Sequence, residues 1–211
     1  YEDTTPEERG REAAIILLLE SRLSEALDKE GMNRIYSEME EPLTKVLSKM
    51  ERNGVRMDIG SLKEYTAHLQ TEMASLEAKV RELAGEPELN VSSPKQIGEV
   101  LFDKLGLMDK PKKNANGSYS TDETTLAEIA EKHPVVGEIL EFRSVKKLLS
   151  TYIEPFPRFI DPSDGKIHTT FNQALTATGR LSSSNPNLQN IPIRSERGRE
   201  IRKAFVPSSP D

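Results

Sequence analysis

Thr176-Ala-Thr-Gly-Arg-Leu-Ser-Ser-Ser-Asn-Pro-Asn-Leu-Gln-Asn-Ile-Pro-Ile-Arg194 is the stretch on which the reading of this chain turns. Its nineteen positions hold one Gly, two Pro, two Arg, three consecutive Ser, three Asn and a Gln. Neither a core strand nor an amphipathic helix has that composition, because few of these side chains can be buried without partners. A polar surface loop is one reading. The donor chemistry supports a sharper one. Arg180, Asn187, Gln189 and Asn190 carry forked or amide groups on a backbone stiffened at Pro186 and Pro192 and free to bend at Gly179. Planar donors on a preset backbone suit base edges and phosphate oxygens.

Working outward, 211 residues suffice for one large or two small domains with a real core. A hydrophobic share of 35% and a charged share of 30% describe a polar, soluble chain built on long surface helices. Without Cys there is no disulfide or thiolate metal site, and a reducing cytoplasm is the natural compartment. The longest apolar run, Ala13–Leu19, is far too short to span a membrane, and no signal peptide or internal repeat is evident. The net charge of −6 argues against a nucleic-acid partner, but its distribution argues the other way. The first sixty residues carry fourteen acidic and nine basic groups, whereas Glu141–Lys203 carries six acidic and eleven basic ones. One basic face on an acidic body fits that asymmetry.

The run Ala177-Thr-Gly-Arg-Leu-Ser-Ser…Pro186-Asn-Leu-Gln-Asn-Ile-Pro-Ile-Arg194, continued by Gly198-Arg-Glu-Ile-Arg-Lys-Ala-Phe205, closely resembles the bacterial family A DNA polymerases, the DNA polymerase I family. Glu41-Pro-Leu…Glu51-Arg-Asn-Gly-Val55 and Phe142-Arg…Lys146-Lys-Leu-Leu-Ser-Thr-Tyr152 extend the likeness over nearly the whole chain. The resemblance implies an α+β fold, mainly α: long antiparallel thumb helices with a small helical tip, followed by the first antiparallel strands of a palm. It divides the chain into 1–40, the tail of an exonuclease-like domain; 41–154, the thumb; and 155–211, the beginning of the palm. Proofreading members carry a Tyr followed four residues later by a metal-binding Asp. Here Tyr1 is followed by Thr5, and Glu12 is the nearest acid, so no nuclease activity is inferred.

Pattern alone predicts the elements. Glu7–Leu27 reads as a helix with a stripe through Ala14, Ile15, Leu18, Leu19 and Leu23, broken at Glu30-Gly31. A second helix follows from Ile35 to Met50, with Pro42 starting a fresh turn and Asn53-Gly54 forming a left-handed stop. Ser61-Leu-Lys-Glu64 has the form of a capping box before a long helix through Leu62, Tyr65, Leu69, Met73, Leu76, Val80 and Leu83, ended by Gly85 and Pro87. Ser92 or Ser93 caps a helix from Pro94 to about Lys104, and Asp109–Ser118 is a mobile loop. Ser120-Thr-Asp-Glu123 is a second capping box. Pro134 opens a helix to Ser150, and Lys166–Gln173 reads as one strand with a return near Leu181. His168 is structural on this reading, and His68 and His133 form no cluster with it.

By resemblance, Asn90, Ser92 and Ser93 at the thumb tip, together with Ser120 and Thr121, meet the duplex backbone. Arg143 and Lys147, one helical turn apart, grip phosphates, although Leu149 stands where the family often has a further basic residue. Arg180 contacts the minor groove at the primer end, where every correct pair presents acceptors in nearly the same place. Asn187, Gln189 and Asn190 fall near the template strand, and Arg194 near the nucleotide site. The implied partners are primer–template duplex DNA and, for a whole polymerase, deoxynucleoside triphosphates. The protein is expected to be a monomer of the bacterial cytoplasm and nucleoid. Two Mg2+ ions are implied for a whole enzyme, yet the family's Asp-Tyr-Ser motif is not found here. Catalytic residues, metal ligands and bound cofactors are therefore not expected, and the chain alone should be inactive. A non-catalytic or architectural DNA-binding module is the alternative, and an unrelated helical scaffold a third.

Overall fold

The computed structural model describes residues 5–208; Tyr1 and the end of the Pro207–Asp211 segment lie outside that range. Among the described residues the α-helices are α1 (Pro6–Lys29), α2 (Asn33–Ile35), α3 (Glu41–Asn53), α4 (Ile59–Ala84), α5 (Pro94–Gly98), α6 (Glu123–Ala127), α7 (Pro134–Lys147) and α8 (Glu196–Lys203). The strands are β1 (Val55–Met57), β2 (Lys166–Ile167), β3 (Thr170–Asn172), β4 (Ser182–Ser184) and β5 (Phe205–Val206). Packing groups these into two units that do not follow the linear order of the chain. The first takes residues 5–54 and His168–Asn187; the second takes residues 55–167 and 188–208.

In the first unit, Thr5 and Glu8 cap each other's backbone N–H groups at the start of α1, and Pro6 occupies its first turn. The predicted stripe does form on α1, but nothing within the described residues buries it: Ile15, Leu18, Leu19 and Leu23 are 49–69% exposed. The helix expected over Ile35–Met50 is instead divided. Pro42 has no N–H, and its ring crowds the carbonyl one turn back. The turn before α3 therefore widens to a π-turn over Tyr36–Glu40, with the Glu41 N–H bonding the Tyr36 carbonyl. Gly54 ends α3 at φ 61°, but its ψ of 179° is extended rather than left-handed helical, so the chain leaves directly into β1. A Cβ at Gly54 would lie 2.6 Å from the His168 ring, which explains why only Gly fits. The second half of this unit hangs on α3 through polar contacts. His168 Nδ1 lies 2.6 Å from the Glu51 carbonyl, and the Phe171 N–H donates to the Glu51 carboxylate. Gln173 Nε2 donates to the Glu40 carbonyl and carboxylate.

The second unit is organised on α4. Asp58, not Ser61, is its N-cap: the Asp58 carboxylate accepts from the Ser61 N–H at 3.1 Å and the Ser61 hydroxyl at 2.7 Å. Capping one turn earlier, the carboxylate takes the Ser61 N–H and hydroxyl and also complements the helix dipole, so Ser61 becomes a donor inside the first turn rather than the cap. At α6 a carboxylate again takes the cap, but downstream of the predicted cap Ser120: Asp122 accepts the Thr125 N–H at 2.7 Å and Ser120 donates to Asp122. Gly85 ends α4 in the left-handed region, and Lys104 Nζ bonds the Ala84 and Gly85 carbonyls at 2.9 and 3.0 Å.

Helices α4 and α7 pack antiparallel. Val80 and Ala84 share a core with Val135, Val136, Ile139 and Phe142, while Leu62 and Leu69 share another with Val145, Leu148 and Leu149. The predicted helix from Pro134 to Ser150 continues past α7 as a π segment to Ile153. The Asp109–Ser118 loop is tied into a small hairpin: the Asn114 N–H bonds the Ser118 carbonyl at 2.7 Å, and Lys113 Nζ sits 5.0 Å from the Tyr119 ring centre.

The single strand expected over Lys166–Gln173 is two. β2 joins an antiparallel sheet of order β2-β1-β5 in the second unit, pairing Val55 with Ile167. β3 pairs with β4 in the first unit, Phe171 opposite Ser183. Between them, Thr169 Oγ1 turns to the Pro186 and Ser184 carbonyls at 2.7 and 3.1 Å, and this competes with a continuous ladder. The fold is α+β, mainly α, with small antiparallel sheets. No helix among the described residues is long and apolar enough to cross a membrane.

Candidate nucleic-acid interface

In the second unit the amphipathic spacing of α7 sends Val135, Ile139, Phe142 and Val145 inward, which leaves Arg143, Lys146 and Lys147 on the outer side. Arg143 is half-buried. Its guanidinium donates twice to Thr121, through Nη1 to the carbonyl and through Nη2 to Oγ1 at 3.0 Å. Burial pulls the Arg143 group below its ordinary pKa, and the charge of Asp122 opposes that pull. Asp122 in turn is held down to about 2 by the Thr125 N–H, the Ser120 hydroxyl and the Thr125 side chain. Ser120 and Thr121, expected at the duplex surface, are only 8% and 5% exposed; their polar groups hold Asp122 and Arg143. Lys146 and Lys147 are exposed and make no ion pair or hydrogen bond among the described residues.

Two hollows flank this helix face. One, of about 550 Å³, is lined by Arg143, Ser144, Lys147, Tyr152, Pro192 and Ser195, with Glu123 and Glu141 at its edge. The other, of about 270 Å³, is lined by Ser92, Arg143, Lys146, Lys147, Ser150 and Thr151. Arg143 and Lys147 thus belong to both, and the structure brings Ser92 to them. Ser93 is the cap of α5, accepting the Gln96 N–H. Asn90 Oδ1 accepts the Ser92 N–H at 3.0 Å, which fixes the turn that exposes Asn90 and Ser92.

The downstream part of the ribbon, 188–195, is fixed by α8. Arg202 donates to the Ile191 and Pro192 carbonyls, Arg199 donates to the Arg194 carbonyl, and Ser195 caps the helix through the Gly198 N–H. Gly198 lies so close to the Pro192 carbonyl that a side chain there would collide with it. With Ile191 buried and the backbone held, Gln189, Asn190 and the Arg194 side chain remain exposed. One contact was not legible in the sequence. Arg197 bonds Glu72 on α4 and, at 2.7 Å, Glu141 on α7, while the Tyr65 hydroxyl donates to the Arg197 carbonyl at 3.2 Å. The Glu72 hydrogen bond, the largest effect, raises the Arg197 pKa; burial opposes it and Glu141 adds to it.

The upstream part belongs to the first unit. Thr176 Oγ1 donates to the Arg180 carbonyl at 2.6 Å across a turn with Gly179 at φ 72°. Arg180 itself is exposed, and no group among the described residues bonds its guanidinium. β4 follows, then Asn185 at φ 55° and a cis bond to Pro186. The Ser183 hydroxyl lies 3.4 Å from Asn187 Oδ1, and Asn187 is exposed.

Eight of the eleven basic residues of Glu141–Lys203 therefore fall into two sets. Arg197, Arg199, Arg202 and Lys203 are used internally, Lys203 against Glu200. Lys146, Lys147, Arg180 and Arg194 offer their charges outward. The Mg2+ ions implied for a whole polymerase need converging carboxylates. The groove on α7 does not fit them: its acids are Glu123 and an Arg197-paired Glu141, facing Arg143 and Lys147.

A family model described as DNA polymerase family A matches residues 59–211. The chain is 47% identical over 210 residues to DNA polymerase I of Bacillus subtilis and 49% identical to that of Geobacillus stearothermophilus. In both cases all of this chain is covered but 24% of the relative, so the chain spans about a quarter of the length of these curated relatives. A solved structure, the POL domain of Pol1 from M. smegmatis in complex with DNA primer-template and dNTP, superposes with a TM-score of 0.79 at 39% identity, covering 92% of this chain and 34% of that one. Residues 59–211, matched by the family model, include those that build the groove and the ribbon, and the chain belongs to DNA polymerase family A.

Proposed function

We propose that the chain is the duplex-holding part of a bacterial DNA-directed DNA polymerase acting in replication and repair. The observation that carries this reading is the face of α7. Arg143 and Lys147 line two adjoining hollows, with Ser92 in one and the Pro192–Ser195 segment along the other, and Lys146 and Lys147 have no partner among the described residues. Cations spaced by one turn, backed by hydroxyls on a rigid helix, suit successive phosphates of a duplex strand. Thr121 supports this chemistry from behind by fixing the Arg143 fork, and Ser120 does so through Asp122.

Arg180, exposed on its glycine turn, is proposed to bond the minor-groove acceptors of the terminal base pair. A guanidinium there accepts all four correct pairs and loses geometry with a mismatch. Asn187, Gln189 and Asn190 are proposed for the template strand and the adjoining groove, and Arg194 for the nucleotide side. Asn90 and Ser93 join Ser92 at the backbone contact. The linear division into an exonuclease-like tail, thumb and early palm is part of this proposal. So are a monomeric state and a place in the bacterial cytoplasm at the nucleoid. Because the Asp-Tyr-Ser motif is not among the 211 residues, the proposal assigns them binding without nucleotidyl transfer. Deoxynucleoside triphosphates and Mg2+ then belong to the parent enzyme's chemistry.

The test is the salt dependence of binding to a primer–template duplex. With about four phosphate contacts, the plot of log affinity against log salt should slope at roughly −3 to −4. A flat plot would refute the assigned contacts.

A further inference from the structure

Glu141 poses a problem for the face just described. It lines the same hollow as Arg143 and Lys147, two positions before the first of them, and a free carboxylate there repels phosphate. The structure answers with Arg197. Its Nη1 takes Glu141 at 2.7 Å, and its Nη2 takes Glu72 on the neighbouring helix. The Tyr65 hydroxyl holds the Arg197 backbone from the α4 side. Arg197 is only about a quarter exposed (28% for its side chain), as is Glu72 at 29%, so the fork is a fixed part of the wall rather than a flexible surface pair. A Lys could supply the charge, but its point-like ammonium lacks the planar fork whose two ends here take one carboxylate each.

We infer that Arg197 is a positioning residue of the duplex-binding groove: anchored by Glu72, it covers the charge of Glu141 and fixes the Pro192–Ser195 wall beside α7. This rests on the duplex-binding reading and adds a residue to it. No contact between Arg197 and DNA is required; its action passes through Glu141.

The experiment measures primer–template binding at low salt for the 211-residue chain, alongside thermal unfolding, for Arg197→Ala, Arg197→Lys, Glu141→Gln and the Arg197→Ala/Glu141→Gln double variant. Arg197→Ala should weaken binding about three- to tenfold, as expected when a charge beside a binding site loses its cover. The double variant should return to within about twofold of the parent, because the exposed carboxylate is gone. Arg197→Lys should fall between, and Glu141→Gln alone should bind as well as the parent or better. A purely structural role would give the opposite pattern: lower melting temperatures for both Arg197→Ala variants and no recovery of binding in the double one. That pattern, or unchanged affinity in Arg197→Ala, overturns the inference. If the parent chain shows no salt-dependent binding, the functional reading fails first. The thermal double-mutant cycle still reports whether Arg197 and Glu141 are coupled.

Discussion

The two units reach order by different means. In the second, α4 and α7 bury two continuous clusters that include Leu69, Val80, Ile139 and Val145, each fully buried. In the first, Leu47 is the large aliphatic side chain that falls below 5% exposure among the described residues, and α1 buries none of its own. What orders the ribbon half of the first unit is a set of hydrogen bonds: Glu51 to the His168–Phe171 stretch, Glu40 to Gln173, and Thr169 to the turn at Pro186. A core tolerates many polar surfaces, so the second unit can present Lys146 and Lys147 without cost to its packing. A segment held by backbone hydrogen bonds keeps its shape only while each partner is present.

The comparison can be broken most sharply by paired alanine substitutions. Leu69→Ala or Ile139→Ala should destabilise the chain by about 2–5 kcal/mol, whereas Leu18→Ala on α1 should stay within roughly 0.5 kcal/mol. Denaturant unfolding measures both, and a Leu18 effect as large as that of Leu69 would show that α1 is buried in solution. Glycines give the next largest effect. Gly54→Ala combines φ 61° with a collision against His168 and should cost roughly 2–3 kcal/mol. Gly106→Ala has a similar φ of 59° with nothing within 4 Å, so it should cost only about 1–2 kcal/mol. Equal losses would mean that the His168 ring moves aside.

Substitution of the basic residues sharpens the contrast in function. Arg180→Ala should weaken primer–template binding about tenfold while leaving the melting temperature unchanged, since no group among the described residues bonds its guanidinium. In a complete polymerase the same change should slow extension by roughly one to two orders of magnitude. Lys147→Ala should weaken binding to all sequences alike and lower the salt slope by about one. Arg143→Ala should do the same and also lower the melting temperature, because Thr121 loses both of its bonds. The smallest effect is pH-dependent. Asp122 is depressed to about 2, so its contribution to stability is present above its unfolded value near 3.8 and is lost as pH falls through about 2. Asp122→Ala should lower the melting temperature by about 2–4 °C at neutral pH. That gap should close between about pH 4 and pH 2.

Caps and strands mark where local pattern was insufficient. Ser61-Leu-Lys-Glu64 and Ser120-Thr-Asp-Glu123 both have the form of a box, yet Asp58 and Asp122 cap the helices, since several acceptors within one turn compete and the carboxylate wins. Lys166–Gln173 alternates like one strand, but periodicity says nothing about which partner each half will find. The widened turns at Tyr36–Glu40 and Leu148–Ile153 likewise carry no signal in the hydrophobic pattern.

Local pattern was enough for most helices, for the inward faces of α4 and α7 and for the polar ribbon from Thr176 to Arg194, because apolar spacing, prolines and glycines act over a few residues; it did not say that the stripe on α1 would stay exposed. The resemblance of that ribbon to family A polymerases was equally local. Which cations face outward and which are spent inside the protein follows from the three-dimensional packing alone. Arg143, Arg197 and Arg202 look alike in the chain; their fates depend on Thr121, Glu141 and Ile191, each separated from its partner by eleven or more positions. Charge pairing is fixed by distance in space, and separation along the chain does not encode it.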